Sequence, residues 1–152
     1  MICSQKRLRL CRGLIVCCLA FIWGNSLLPG AVSQAVSDGL KQLMGLPLSA
    51  GVQASGRDLV RKLAHFTEYA ALGWLLGWRV AMGGKKPVLA LILGALCACL
   101  DETIQIFAPD RGPGLADVLL DSFGVLAGIL VLHLGHTVFK TIYKKHLEDQ
   151  EQ

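Results

Sequence analysis

Three groups of chemically capable residues stand inside otherwise apolar sequence: His65, Glu68 and Tyr69; Asp101, Glu102 and Gln105; and Asp117 with Asp121. Ionisable groups are expensive in hydrocarbon, so acids set this deep in apolar runs mark a functional site by default. Their spacing is helical. His65 lies three residues before Glu68 and four before Tyr69, and Asp101–Gln105 and Asp117–Asp121 repeat the four-residue step, so each group shares a helix face. Three chemistries fit. His65 could act as general acid or base with a carboxylate such as Asp101 orienting it. Carboxylates with one imidazole also suit a hard or borderline cation. In a purely structural alternative, Arg61, Lys62 and Arg111 tie the acids into a network that pins the helix mouths. The catalytic candidates are thus His65, Glu68, Asp101 and Glu102. The substrate-binding candidates are Lys62, Tyr69, Gln105, Arg111, Asp117 and Asp121.

These acids, crowded in a medium of low dielectric, cannot all ionise unpaired; they must share protons, pair with bases or hold a cation. No spacing is a metal signature. His65-x-x-Glu68 is a reversed and single copy of the Glu-x-x-His step of metal-binding bundles, so no metal ligand and no cofactor are assigned, with a divalent cation at the acidic cluster left open. There is no nucleophile elbow and no glycine-rich phosphate loop. His133 and His136 read as interfacial.

The elements that must position these residues are long apolar helices. Of 152 residues, 53% are hydrophobic and 17% charged, and mean hydropathy is +0.53. A soluble domain carries roughly 25% charged residues. The apolar residues come in blocks at 13–28, 63–82, 87–107 and 115–138, each suited to a membrane span. The expectation is a single all-α domain over 1–152, an integral membrane bundle of four transmembrane helices with its core motifs in 57–138. Pro29-Gly30 stops the first helix, and Pro47 and the glycines at 51 and 56 mark loops. Between them Val32, Val36, Leu40 and Leu43 recur at steps of three and four, which predicts a short amphipathic helix on the membrane surface. The polar end of the chain, 148–152, reads as frayed. A basic start followed by an apolar run also describes a signal peptide, with Ala31-Val32-Ser33 as a tolerable cleavage motif. Cys3, Cys11, Cys17, Cys18, Cys97 and Cys99 read as packing residues or reduced thiols, because none lies in a segment placed outside the membrane. No basic stripe is interleaved with aromatics, which removes nucleic acid as a partner.

Loop charge sets the orientation. Lys6, Arg7, Arg9 and Arg12 precede the first run, Arg79, Lys85 and Lys86 flank the second turn, and Lys140, Lys144 and Lys145 follow the last. By the positive-inside rule both termini are cytoplasmic. Trp23 and Trp78 then fall near span ends as interfacial anchors. All three polar groups come to the outer ends of their helices, at one depth and on one side. Gly124 and Gly128, and likewise Gly73 and Gly77, form small-xxx-small pairs below them, which predicts close helix packing under the polar cavity.

Two blocks, RKLAHFTEYAALG (61–73) and LDETIQIFAPDRGPGLADVLLDSFG (100–124), resemble the VanZ-like family of small bacterial membrane proteins. The His-Phe-x-Glu-Tyr run, Asp-Glu followed by Gln, the Arg-Gly turn and the later Asp pair occur in order. The resemblance marks Lys62, His65, Phe66, Glu68, Tyr69, Asp101, Glu102, Gln105, Arg111, Asp117 and Asp121. Pro113-Gly114 replaces the usual serine or threonine after the Arg-Gly turn. The resemblance implies a multi-pass protein of the bacterial cytoplasmic membrane and cell envelope, with a link to teicoplanin resistance through lipid-anchored wall precursors. The expected partner is a membrane lipid or lipid-linked envelope precursor. An enzyme of this kind would be a membrane hydrolase or transferase. The alternatives are a small proton- or cation-coupled carrier and a purely structural module.

Overall fold

A computed structural model describes residues 2–43, 45, 55–109 and 114–150 of the chain. The described residues form helices and connecting turns: α1 (Ile2–Ser26), α2 (Gly30–Leu43), α3 (Ser55–Met82), α4 (Val88–Gln105) and α5 (Leu115–Gln150). The all-α expectation holds. Three stretches, Gln5–Ser26, Val88–Gln105 and Leu115–Tyr143, are long and apolar enough to cross a membrane by length and composition. Their large apolar side chains point mainly outward: Val16, Phe21, Ile92, Leu96, Leu130, Val131 and Leu134 are all more than half exposed. An apolar exterior of this extent belongs in lipid rather than water.

α3 is also long enough, at 28 residues, but it is not among the three, because His65, Glu68 and Arg79 interrupt its apolar run. Its apolar side chains go inward instead. Tyr69, Leu72, Leu76 and Val80 are buried and form one core cluster with Ile22 of α1, Ala90 and Ala98 of α4, and Val125 and Ile129 of α5. α3 is thus the centre of the bundle.

The closest approach joins α3 to α5, and glycine makes it. A Cβ on Gly124 would stand 2.6 Å from the Phe66 carbonyl oxygen, and one on Gly128 would strike the Ala70 carbonyl and come within 2.7 Å of the Trp74 amide. From the other side, a Cβ on Gly73 would strike the Val125 backbone. Both predicted glycine pairs therefore lie in one seam, and the contacts advance together along α3 and α5, so these two helices run parallel. α4 returns between them, with the Tyr69 hydroxyl donating to the Cys97 carbonyl at 3.2 Å.

Several expected boundaries shift. α1 begins at Ile2 rather than near 13, since its basic first turns continue the helix. α3 begins at Ser55, so Gly56 lies inside a helix and not in a loop; Pro47 and Gly51 fall outside the described residues. α5 runs to Gln150, so the tail expected to fray is helical through that residue. Pro87 occupies the N-cap of α4 with φ −61°, which its ring favours and where its missing N–H is not needed. Gly84, at φ +65°, turns α3 toward α4. The amphipathic α2 forms as predicted and leaves Val32, Val36 and Leu43 exposed. Trp23 packs against the core, and its indole N–H is buried with no acceptor among the described residues, so it is a packing residue more than a headgroup anchor. Cys11, Cys17, Cys18, Cys97 and Cys99 are free thiols, as expected.

Candidate functional site

The site forms where four helices reach the same end of the bundle. The Asn25 side-chain amide, in the last turn of α1, donates to Glu68 Oε1 at 3.0 Å, which sets the end of α1 level with Glu68. α3 extends past that level, carrying Arg61, Lys62 and His65. The last two turns of α4 bring Asp101, Glu102 and Gln105, all buried. The first two turns of α5 bring Asp117 and Asp121.

Asp101 is fully buried, and its Oδ2 accepts a hydrogen bond from the Gln105 amide at 3.3 Å. The four-residue step between these two acts as the sequence suggested. His65 Nδ1 lies 3.7 Å from the same oxygen, within ion-pair range and beyond a direct hydrogen bond. Asp121 comes to this point from α5, so that ligand-capable atoms of His65, Asp101 and Asp121 all lie within 4.8 Å of one another. Glu102 points to the α4–α5 connection, where its Oε2 accepts the Gly114 N–H at 2.7 Å and ties the start of α5 to the end of α4. Lys62 Nζ lies 4.0 Å from Asp117 Oδ1 across the mouth.

Arg61, Lys62, His65, Glu102, Gln105, Asp117, Leu120 and Asp121 enclose a cavity of about 10 Å³, close to the smallest that holds one water or ion. A second cavity, of about 70 Å³, lies on the opposite side of His65 between α1, α2 and α3, and Asn25, Arg61 and Glu68 line it. His65 and Arg61 therefore face both spaces. The four catalytic candidates divide accordingly: His65, Asp101 and Glu102 gather with Asp121, while Glu68 turns toward α1.

Tyr69 is fully buried and directs its hydroxyl to Cys97, below the cavity. Arg111 falls outside the described residues, as does Asp110. Among the residues that the sequence reading left out, Asn25 is the clearest. A lone amide closing an apolar run is itself a signal, but its partner is 43 positions away. The Gly114 amide is a backbone donor and carries no side-chain signature. His133 Nδ1 meets its own helix at the Ile129 carbonyl, 3.0 Å away, far from the site.

The chemistry open to this arrangement is narrow. An imidazole faces two buried carboxylates, a third carboxylate closes one wall, and two bases stand at the rim. Such a set can relay protons, hold a cation, or take an anionic group at the rim. No curated protein matches the chain, and no solved structure matches it. The VanZ/LLP1 family profile matches residues 13–138, the greater part of the chain, and the chain belongs to that family.

Proposed function

We propose that this protein is a bacterial cell-envelope membrane protein whose polar pocket binds, or modifies, the anionic headgroup of a lipid or lipid-linked envelope component. The observation that carries this reading is the stacking of the site: Arg61 and Lys62 line one cavity with the half-buried His65 imidazole and the buried carboxylates of Glu102 and Asp121, at the bundle end where α2 begins. The first amide of α2, Gly30 N–H, bonds the Pro109 carbonyl at 3.1 Å, so the amphipathic helix starts beside the α4–α5 connection. A helix with exposed Val32, Val36 and Leu43 suits the interface where headgroups lie. Guanidinium and ammonium groups at that level suit phosphate or another anion. In this reading α3 crosses as a fourth span, both termini face the cytoplasm and the pocket opens on the outer leaflet of the cytoplasmic membrane. His65 with Asp101 handles protons if the headgroup is modified.

A carrier needs polar groups across the whole bundle. Beyond Tyr69 the described core is Leu72, Leu76, Val80, Ala90, Val125 and Ile129, which favours binding at one leaflet over passage. Lipid mass spectrometry of cells with wild type, His65→Ala, Lys62→Ala and no protein tests the reading, together with headgroup binding by purified protein in detergent. A lipid species that changes only with wild type supports modification, and retention of an anionic lipid that Lys62→Ala weakens supports binding. An unchanged lipidome with no retained anionic lipid overturns both. Where the component is a lipid-linked wall precursor, teicoplanin susceptibility should shift with the same variants.

A further inference from the structure

Asp121 is 1% exposed and Glu102 5% exposed, and Asp121 Oδ1 and Glu102 Oε1 are both buried without a hydrogen-bond partner among the described residues. Leaving a buried carboxylate oxygen unsatisfied costs several kcal/mol in general, so two such residues lining one cavity call for a counter-charge. Both residues line the cavity of about 10 Å³ beside His65. We propose that His65, Asp101 and Asp121 bind one divalent first-row cation, Zn²⁺ or Mn²⁺, with Glu102 Oε1 as a fourth donor.

Geometry supports the donor set. Tetrahedral ligands about 2.0–2.2 Å from one ion lie roughly 3.3–3.6 Å apart. His65 Nδ1 and Asp101 Oδ2 are 3.7 Å apart, and the trio's spread of 4.8 Å closes with a small side-chain movement. The ligands come from three different helices, α3, α4 and α5. The imidazole sets this site apart from a bare cluster of acids and selects a borderline ion over calcium, which takes six to eight oxygens. Gln105, donating to Asp101, is the outer partner that orients one ligand. The ion would also offset most of the negative charge of the floor, so that an anionic headgroup beside Arg61 and Lys62 meets far less repulsion from the carboxylates. That last role rests on the reading above; the ion site itself does not.

The test uses the full-length protein in detergent, stripped with chelator and titrated with Zn²⁺ or Mn²⁺ alone. Binding is followed by calorimetry and elemental analysis. One ion per chain is expected. Asp121→Asn and His65→Ala should each weaken it at least about tenfold, while Thr103→Ala, whose hydroxyl serves only its own helix at Cys99, should not. Pulsed electron paramagnetic resonance of the Mn²⁺-loaded wild type should show coupling to one imidazole nitrogen, a readout that does not depend on any variant folding. Absence of stoichiometric binding, binding unchanged in both variants, or Mn²⁺ without nitrogen coupling overturns the proposal. A lipid change that persists in protein binding no metal leaves the headgroup reading standing and removes only this one. Metal binding with an unchanged lipidome and no retained lipid does the reverse.

Discussion

Tyr69 shares a helix face with His65, yet the two do different work. The tyrosine spends its hydroxyl on the Cys97 carbonyl, so it joins α3 to α4 beneath the cavity. Tyr69→Phe should lower stability by about 0.5–1.5 kcal/mol, the net worth of one such bond, and leave ligand binding at the pocket intact. Thermal unfolding in detergent beside a lipid-retention assay separates the two effects. Asn25 makes the opposite case. Removing its amide leaves a half-buried carboxylate oxygen without that donor, so Asn25→Ala should cost about 1–3 kcal/mol. A double-mutant cycle with Glu68→Ala should return a coupling of about 0.5 kcal/mol or more. The His65, Asp101 and Asp121 constellation was legible in the sequence because each acid or imidazole interrupts an apolar run at helical spacing. Asn25 was not, because a pair between α1 and α3 depends on how two helices cross, and no local spacing encodes that.

At the scale of helices, the seam between α3 and α5 governs what can change. Gly128→Leu or Gly124→Leu would drive a side chain into the α3 backbone, which cannot yield as a rotamer could. The cost should exceed the roughly 1–3 kcal/mol of ordinary overpacking, and the protein should vanish from the membrane fraction. Gly13→Ala, with nothing within 4 Å of the new methyl, should leave that yield unchanged or raise it slightly. The glycine pairs announced this seam in advance because only small residues let two backbones approach in lipid. Helix ends were harder. The uninterrupted apolar runs at 13–28 and 115–138 are shorter than the helices, because α1 and α5 continue as helix through the charged turns that flank those runs. α3 starts eight residues before its apolar run for the same reason, and so carries Arg61 and Lys62 to the pocket on a rigid element.

For the molecule as a whole, the polar residues gather at one end while Lys6, Arg7, Arg9, Arg12, Lys85, Lys86 and Lys140 belong to the other. With four spans, reporter fusions at the N-terminus and after Gln152 should both read as cytoplasmic. A cysteine introduced at Gln42 of α2 should react with an impermeant reagent added outside. Fusions that disagree would remove α3 from the count of spans. Composition and block length revealed the membrane class at once. They could not reveal that α3 stands at the centre, because burial within the bundle and burial in lipid both favour apolar residues.

The weak hydropathy of α3 has a consequence for biogenesis. Its His65, Glu68 and Arg79 make it a poor candidate to leave the translocation machinery for lipid alone, yet its inward face fits α5, which is synthesised only after α4. α3 should therefore linger at the insertion site until α5 emerges and then enter as its partner. A nascent chain truncated near residue 107 should leave α3 accessible to water-soluble labels, while one extended through Tyr143 should not. The glycine seam would thus time the assembly of the site as well as hold it together.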